Sequence, residues 1–147
     1  MKRILCLFVV LLCLCGCKEN ADIIKTKYFE VSVPSSWSEL YIYEIYEVDD
    51  KTYSLIFYDK DSYANSYGGH IVTISVYYEN DEYDYLPNYE YLDKISNGQD
   101  TYVVILELPT DVQFDTTTQD TYKKLASTYE SVIDSIKYIN GYQVLTD

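Results

Sequence analysis

Ile71-Val72-Thr73-Ile74-Ser75-Val76-Tyr77-Tyr78 is the most strongly β-like stretch of this chain. Its residues 72, 74 and 76 are valine or isoleucine, and they fall on one face because successive side chains of a strand point to opposite sides. β-Branched and aromatic residues are also the types most enriched in strands. The stretch therefore predicts a strong strand with an apolar face.

Sequences on both sides of this strand predict further strands and two hairpins. Five stretches carry the alternation or the turn signals of strands: 28–33, 40–48, 52–58, 89–95 and 101–108. Asp49-Asp50-Lys51 predicts the first hairpin turn and Asn97-Gly98 the second. Hairpin neighbours pair antiparallel, so the sequence predicts an antiparallel sheet of about five to six strands.

The apolar period changes to that of a helix in the last third of the chain. Apolar residues recur there at helical spacing: Tyr122, Leu125, Ala126, Tyr129, Val132, Ile133, Ile136 and Ile139. Thr117 with Asp120 resembles a capping box, and Gly141 stands where a helix would stop. We therefore expect one C-terminal amphipathic helix packed on one face of the sheet, which is an α+β fold.

The N-terminus predicts export and attachment to a membrane. Lys2 and Arg3 precede an apolar run that is too short to cross a bilayer, and the run ends at Leu14-Cys15-Gly16-Cys17. This ending resembles a bacterial lipoprotein cleavage site, and the resemblance implies diacylglycerol on Cys17 and a location on the extracytoplasmic side of the cell membrane. An ordinary cleaved signal peptide and an uncleaved anchor are the alternatives.

This interpretation divides the chain into three parts. We expect a signal peptide over residues 1–16, a lipidated cysteine and tether over 17–27, and a single domain over 28–147. The other three cysteines fall inside the signal peptide. The mature chain would therefore have no thiol left for a disulfide.

Composition limits the classes of partner. The chain carries a net charge of −13, and its one arginine, Arg3, lies in the predicted signal peptide. Arginine is the side chain that contacts phosphates and carboxylates through two parallel hydrogen bonds. Its absence from the mature chain argues against nucleic acid, nucleotides and acidic sugars as partners.

The sequence shows no catalytic constellation, and we expect neither a cofactor nor a metal. His70, the one histidine, follows two glycines and could face Asp111 and Gln113 as an oriented general base, or could simply bond a loop. The stretch from Asp59 to His70 begins like a calcium loop, but its sixth and twelfth positions lack the required glycine and glutamate.

Tyrosines and carboxylates alternate between Tyr77 and Tyr91, in a chain with 19 tyrosines. Aromatic rings with carboxylates suit a cationic partner or a glycan, whereas high strand propensity is the plainer explanation of the tyrosines. The candidate binding residues are Tyr77, Glu79, Asp81, Glu82, Tyr83, Asp84 and Tyr85, with His70, Asp111 and Gln113. We expect a binding module for a basic envelope or secreted protein or peptide. The alternatives are a receptor for a small ligand or glycan near His70 and, less favoured, a hydrolase using His70.

Three motifs carry a resemblance to a family. Val33-Pro34-Ser35-Ser36-Trp37, Gly68-Gly69-His70-Ile71 and the run from Pro109 to Phe114 resemble a group of small lipoproteins of low-GC Gram-positive gut bacteria. This resemblance implies a source and a location, and it implies no chemistry. The order of elements is also similar to the PsbP-like fold, an analogy of fold alone. Independently of this similarity, we expect Trp37 beside Pro34 to belong to the core, and a binding platform is the alternative.

Overall fold

The computed structural model describes residues 21–48, 52–81 and 83–146. Within these residues the chain forms nine strands, three α-helices and one 3-10 helix (Ser35–Trp37). The strands are β1 (Asp22–Lys25), β2 (Phe29–Val33), β3 (Tyr41–Val48), β4 (Thr52–Asp59), β5 (His70–Tyr78), β6 (Tyr89–Ser96), β7 (Thr101–Glu107), β8 (Lys137–Tyr138) and β9 (Gln143–Val144). The α-helices are α1 (Lys60–Ala64), α2 (Gln119–Ala126) and α3 (Glu130–Ile133).

The strands form two antiparallel sheets, so the fold is predominantly β. One sheet has three strands in the order β1-β2-β8, and the other has six in the order β3-β4-β5-β7-β6-β9. The antiparallel pairing expected from the sequence is confirmed. The expectation of a single sheet is wrong, because β2 pairs with β1 and β8 to make a sheet of its own.

Strand β5 lies in the middle of the six-stranded sheet, as its apolar sequence requires. It pairs with β4 on one side and with β7 on the other. Val72, Ile74 and Val76 are completely buried and belong to the main core. The alternation read from the sequence therefore identifies the buried face correctly.

Aromatic side chains fill much of the core between the two sheets. Trp37 is completely buried, as expected, and its Nε1–H donates to Thr128 Oγ1 at 2.8 Å. At the other end, the ring of Tyr28 lies 5.0 to 5.5 Å from three further tyrosine rings, those of Tyr53, Tyr102 and Tyr142. Part of the high tyrosine content therefore serves packing.

The predicted C-terminal helix is present in part, as α2, and it is shorter than expected because the chain breaks between α2 and α3. At the break the hydroxyls of Ser127 and Thr128 both donate to the carbonyl of Lys124, at 2.9 and 3.0 Å. Such local bonds compete with a continuing helix. After α3, Ser135 Oγ accepts from the backbone N–H of Ser32 at 2.8 Å, which ties the chain to β2.

The expected capping box at Thr117 is also absent from the start of α2. Asp115 acts instead, since its Oδ1 accepts from the backbone N–H groups of Thr117 and Thr118 at 2.8 and 2.9 Å. The Thr117 hydroxyl also donates to Asp115 Oδ1. This hydrogen bond and those from the two backbone N–H groups lower the pKa of Asp115. A carboxylate that accepts several hydrogen bonds is stabilised in its charged form.

The expected tether, residues 17–27, is too long. Its residues 22–25 form β1, and Ile24 is 5% exposed against the core. Thr26 then closes the turn into β2 through its hydroxyl, which donates to the carbonyl of Phe29 at 2.7 Å. The folded chain therefore includes residues 22–27, while Cys17 lies outside the described residues.

Candidate functional site

The six-stranded sheet has one face in the core and an opposite face, which we call the outer face. Leu55, Phe57, Ile74 and Val104 belong to the core, so the residues that alternate with them point the other way. The outer face carries Glu44 and Tyr46 of β3, Ser54 and Tyr58 of β4, Thr73, Ser75 and Tyr77 of β5, Ile105 and Glu107 of β7, and Tyr89 and Tyr91 of β6.

The connection from β5 to β6, residues 79–88, crosses the outer face above β7. Strands β5 and β6 flank β7 and both run antiparallel to it, so this crossover loop must pass over β7. The ring of Tyr83 lies 5.9 Å from that of Tyr77 and 5.8 Å from that of Tyr89. Ile105 of β7 is completely buried beneath this part of the face. Tyr77 and Tyr83 therefore hold the loop on the sheet.

The predicted acidic residues of the crossover loop have different environments. Glu79 forms an ion pair with Lys94 of β6. Asp84 accepts a hydrogen bond from the Tyr89 hydroxyl at 3.2 Å, and both groups are exposed. Asp81 is partly exposed. Glu82, also predicted, lies outside the described residues.

Tyr85 is the most accessible aromatic side chain of the loop, with 71% of its surface exposed. Burial, with smaller contributions from Glu107 and Tyr85, raises the pKa of Tyr77 to about 12. Asp84 is exposed next to Tyr85, Asp81 is partly exposed, and Glu79, Asn80, Pro87 and Asn88 of the loop are exposed as well.

A chain of polar side chains runs across the outer face beneath these tyrosines. Ser54 Oγ and Ser75 Oγ lie 2.8 Å apart, and Ser75 Oγ donates to Glu107 Oε1 at 2.5 Å. Ser75 is completely buried, so these bonds satisfy its hydroxyl. The sequence does not predict this network, because its members come from three strands and only the topology brings them together.

His70 and Gln113 meet, but Asp111 does not join them. The backbone N–H of His70 donates to Gln113 Oε1 at 3.4 Å, and His70 Nε2 lies 2.8 Å from Thr73 Oγ1. Burial lowers the pKa of His70. Asp111 is exposed, and within the described ranges no hydrogen bond or ion pair links it to His70. The alternative in which Asp111 orients His70 therefore has no such bond behind it among the described residues.

Gln113 owes its position to the glycine pair before His70. The backbone N–H of Gly69 donates to the Gln113 carbonyl at 3.0 Å. Gly68 and Gly69 have φ angles of +90° and +69°. The expectation that these glycines permit a backbone conformation disfavoured for other residues is confirmed.

The described residues show neither a ligand cluster for a metal nor a helix that could cross a membrane. No three histidine, cysteine, aspartate or glutamate side chains among them converge. No helix among them is long and apolar enough to span a bilayer.

Comparison with protein-family models, with curated proteins and with solved structures gave no match. The function must therefore be argued from the geometry of the residues.

Proposed function

We propose that this protein is an extracytoplasmic lipoprotein, anchored through diacylglycerol on Cys17, that binds a basic protein or peptide through its crossover loop. The observation that carries the proposal is Tyr85, which is 71% exposed beside Asp81 and Asp84. The likeness of the N-terminal pattern to lipoprotein signals supports the anchor. The packing of Leu125 and Val132 in the core supports an α+β class with the C-terminal helices on one face.

An exposed ring between carboxylates suits a lysine or arginine side chain. The face of a tyrosine attracts a cation, and the carboxylates accept its hydrogen bonds. No lysine or arginine occurs in residues 79–88, so the loop itself supplies no competing cation, and Lys94 from β6 pairs with Glu79. The net charge of −13 adds attraction at longer range, which raises the rate of encounter with a basic partner.

The loop is held in place before any partner arrives. The ring contacts of Tyr83 with Tyr77 and Tyr89 fix its middle on the sheet. The ion pair between Glu79 and Lys94 fixes its start. Binding then loses less conformational entropy than it would on an unattached loop.

The proposed anchor places this surface near the membrane. Because β1 begins at Asp22, the chain from Cys17 to β1 reaches at most about 18 Å when fully extended. The proposed anchor therefore keeps the start of the folded chain close to the lipid surface, on the side where secreted and envelope proteins are found.

The test uses the full-length lipidated protein in detergent micelles as bait for envelope and secreted fractions, at low and at high salt. We expect it to retain basic proteins at low salt and to release them at high salt. The variant Asp81→Asn/Asp84→Asn/Tyr85→Ala should lose this binding. The control Asp111→Asn/Asp120→Asn removes the same charge from other exposed positions and should keep it.

Two outcomes would contradict the proposal. Retention of basic proteins by the loop variant at the level of the control would exclude the crossover loop as the site. Binding of a neutral glycan or small ligand that salt does not change would favour the receptor alternative.

A further inference from the structure

Strand β3 forms a long open edge of the six-stranded sheet. It pairs with β4 in unbroken register from Tyr41 opposite Asp59 to Val48 opposite Thr52, and no other strand of the described residues pairs with it. The last six of its eight residues are exposed. Tyr43, Ile45, Tyr46 and Val48 are each between 44% and 60% exposed.

The register shows which backbone groups of β3 point away from the sheet. The N–H of Lys60 donates to the carbonyl of Leu40 at 2.9 Å, and hydrogen-bonded positions alternate along an antiparallel pair. The even-numbered residues of β3 therefore bond to β4. Tyr43, Ile45 and Glu47 direct their N–H and C=O groups toward solvent.

Strand β3 carries one of the usual protections of an edge, charge, in Glu44 and Glu47, and lacks several others. Natural edges are blocked by lysine, by proline, by a bulge or by a covering element. The sequence Tyr41–Val48 contains neither lysine nor proline, and its register has no bulge. The other edge strands among the described residues have two to four residues each. Strand β3 is the longest strand at the end of a sheet among the described residues, and β9 covers only two residues of β6 at the other end.

We propose that the edge of β3 binds an extended basic segment of a partner protein by β-strand addition. This inference rests on the proposed function for the basic character of the partner, and it adds the site and the mode of recognition. Main-chain hydrogen bonds to the outward groups would supply affinity, and side chains beside the strand would supply specificity.

Charge selects the occupant of this edge. The charged side chains of β3 are Glu44 and Glu47, one on each face of the strand. Glu44 Oε1 accepts a hydrogen bond from the Tyr63 hydroxyl at 2.8 Å. Glu47 Oε1 forms an ion pair with Lys27 Nζ at 3.6 Å. Two copies of the protein would each bring a net charge of −13. A basic strand fits this edge, and its cations can also approach the exposed ring of Tyr46.

The test measures binding of synthetic peptides to the full-length lipidated protein in detergent. The probes are a peptide of alternating lysine and valine, its backbone N-methylated form, and its glutamate counterpart. The variant Ile45→Pro removes an N–H that faces solvent, so it breaks no hydrogen bond to β4. Proline is tolerated at such positions of an edge strand. The matched control Ile45→Ala removes the side chain and keeps the N–H.

We expect the basic peptide to bind the wild type and Ile45→Ala, and to bind Ile45→Pro about tenfold more weakly. The N-methylated and acidic peptides should bind poorly. Bound basic peptide should slow hydrogen exchange at the amides of Tyr43, Ile45 and Glu47. The neighbouring even-numbered amides already bond to β4 and should change less.

Several results would overturn the inference. Equal binding of the N-methylated peptide would exclude strand addition even if Ile45→Pro failed to fold. A wild-type dimer that Ile45→Pro dissociates would assign the edge to a second copy. Loss of peptide binding in the crossover-loop variant but not in Ile45→Pro would overturn the edge site and leave the proposed function standing. If the peptide binds at β3 while fractions yield no basic partner for the loop, the proposed function fails instead.

Discussion

Replacing Gly69 by alanine should destabilise the protein much more than replacing Gly98. Both glycines have positive φ angles, +69° and +89°. A Cβ at position 69 would lie 2.6 Å from the carbonyl oxygen of Asp59 and 2.9 Å from the backbone nitrogen of Tyr63. A Cβ at position 98 would meet nothing within 4 Å. The two positions therefore share a conformational cost and differ in crowding.

The magnitudes follow from these two costs. A left-handed conformation costs an alanine roughly 1–2 kcal/mol, at either position. Crowding into a packed site adds about 1–3 kcal/mol at position 69. The crowded atoms of Asp59 and Tyr63 belong to the backbone, and the N–H of Asp59 donates to the Gly69 carbonyl at 2.7 Å, which limits their movement. The free energy of unfolding should therefore fall by about 2–5 kcal/mol for Gly69→Ala and by about 1–2 kcal/mol for Gly98→Ala.

Urea unfolding followed by the fluorescence of Trp37, the single tryptophan, measures these differences. Gly68→Ala is an informative third variant, because its Cβ would lie 2.2 Å from Gln113 Oε1, the end of a side chain that can move. The loss of unfolding free energy in Gly68→Ala should lie between the losses in Gly69→Ala and Gly98→Ala. Equal losses for Gly69→Ala and Gly98→Ala would refute the close approach of the two backbone segments.

Three further predictions follow from hydrogen bonds and burial. Burial lowers the pKa of His70 below its usual 6.5, so the unfolded chain binds the proton more readily and the free energy of unfolding should fall as the pH drops below about 6.5. His70→Gln should reduce this slope in urea unfolding measured across pH, and an unchanged slope would contradict the burial. Thr128→Val removes the acceptor of Trp37 Nε1–H and should lower the free energy of unfolding by about 1 kcal/mol. The same substitution in a Trp37→Phe background should lower it clearly less. A double-mutant cycle without coupling between the two positions would contradict this hydrogen bond. Burial raises the pKa of Tyr77 to about 12, so ultraviolet titration of Tyr77→Phe should lack an ionisation near that pH, and loss of one near pH 10 instead would contradict it.

The parts of the fold that depend on local sequence could be predicted. The alternation of Ile71 to Tyr78 identifies β5 and its buried face, because the period of a strand is set by the backbone itself. Asn97 and Gly98 identify the second hairpin, where Asn97 Oδ1 accepts from the backbone N–H groups of Gln99 and Asp100 at 2.9 Å. These signals lie within a few residues of the structure they predict.

The parts that depend on distant partners could not be predicted. Strand β8 has two residues, and it is a strand only because Lys137 lies opposite Glu30 of β2. The apolar residues of that region fit a helix equally well, so periodicity alone predicts a longer helix than the chain forms. Strand β1 has the same origin, since its four residues are defined by pairing with β2.

The candidate site was predicted in composition but not in the roles of its residues. Tyr77 and Tyr83 were predicted to bind a partner, yet their rings contact each other and secure the crossover loop. A sequence does not show that β6 pairs beyond β7, and this strand order alone places Tyr83 over the sheet. Tyr85 remains the accessible ring because it lies beyond these contacts.

The crossover loop and the β3 edge are close enough to contact one partner chain. Val48 at the end of β3 lies opposite Thr52, and Thr52 lies opposite Tyr77, whose ring lies 5.9 Å from that of Tyr83 in the crossover loop. The distance from the β3 edge to Tyr77 is two strand spacings, or about 10 Å. About three residues of extended chain span that distance. A basic segment that pairs with β3 can therefore continue onto the loop, and contacts at both places would then add within a single binding event.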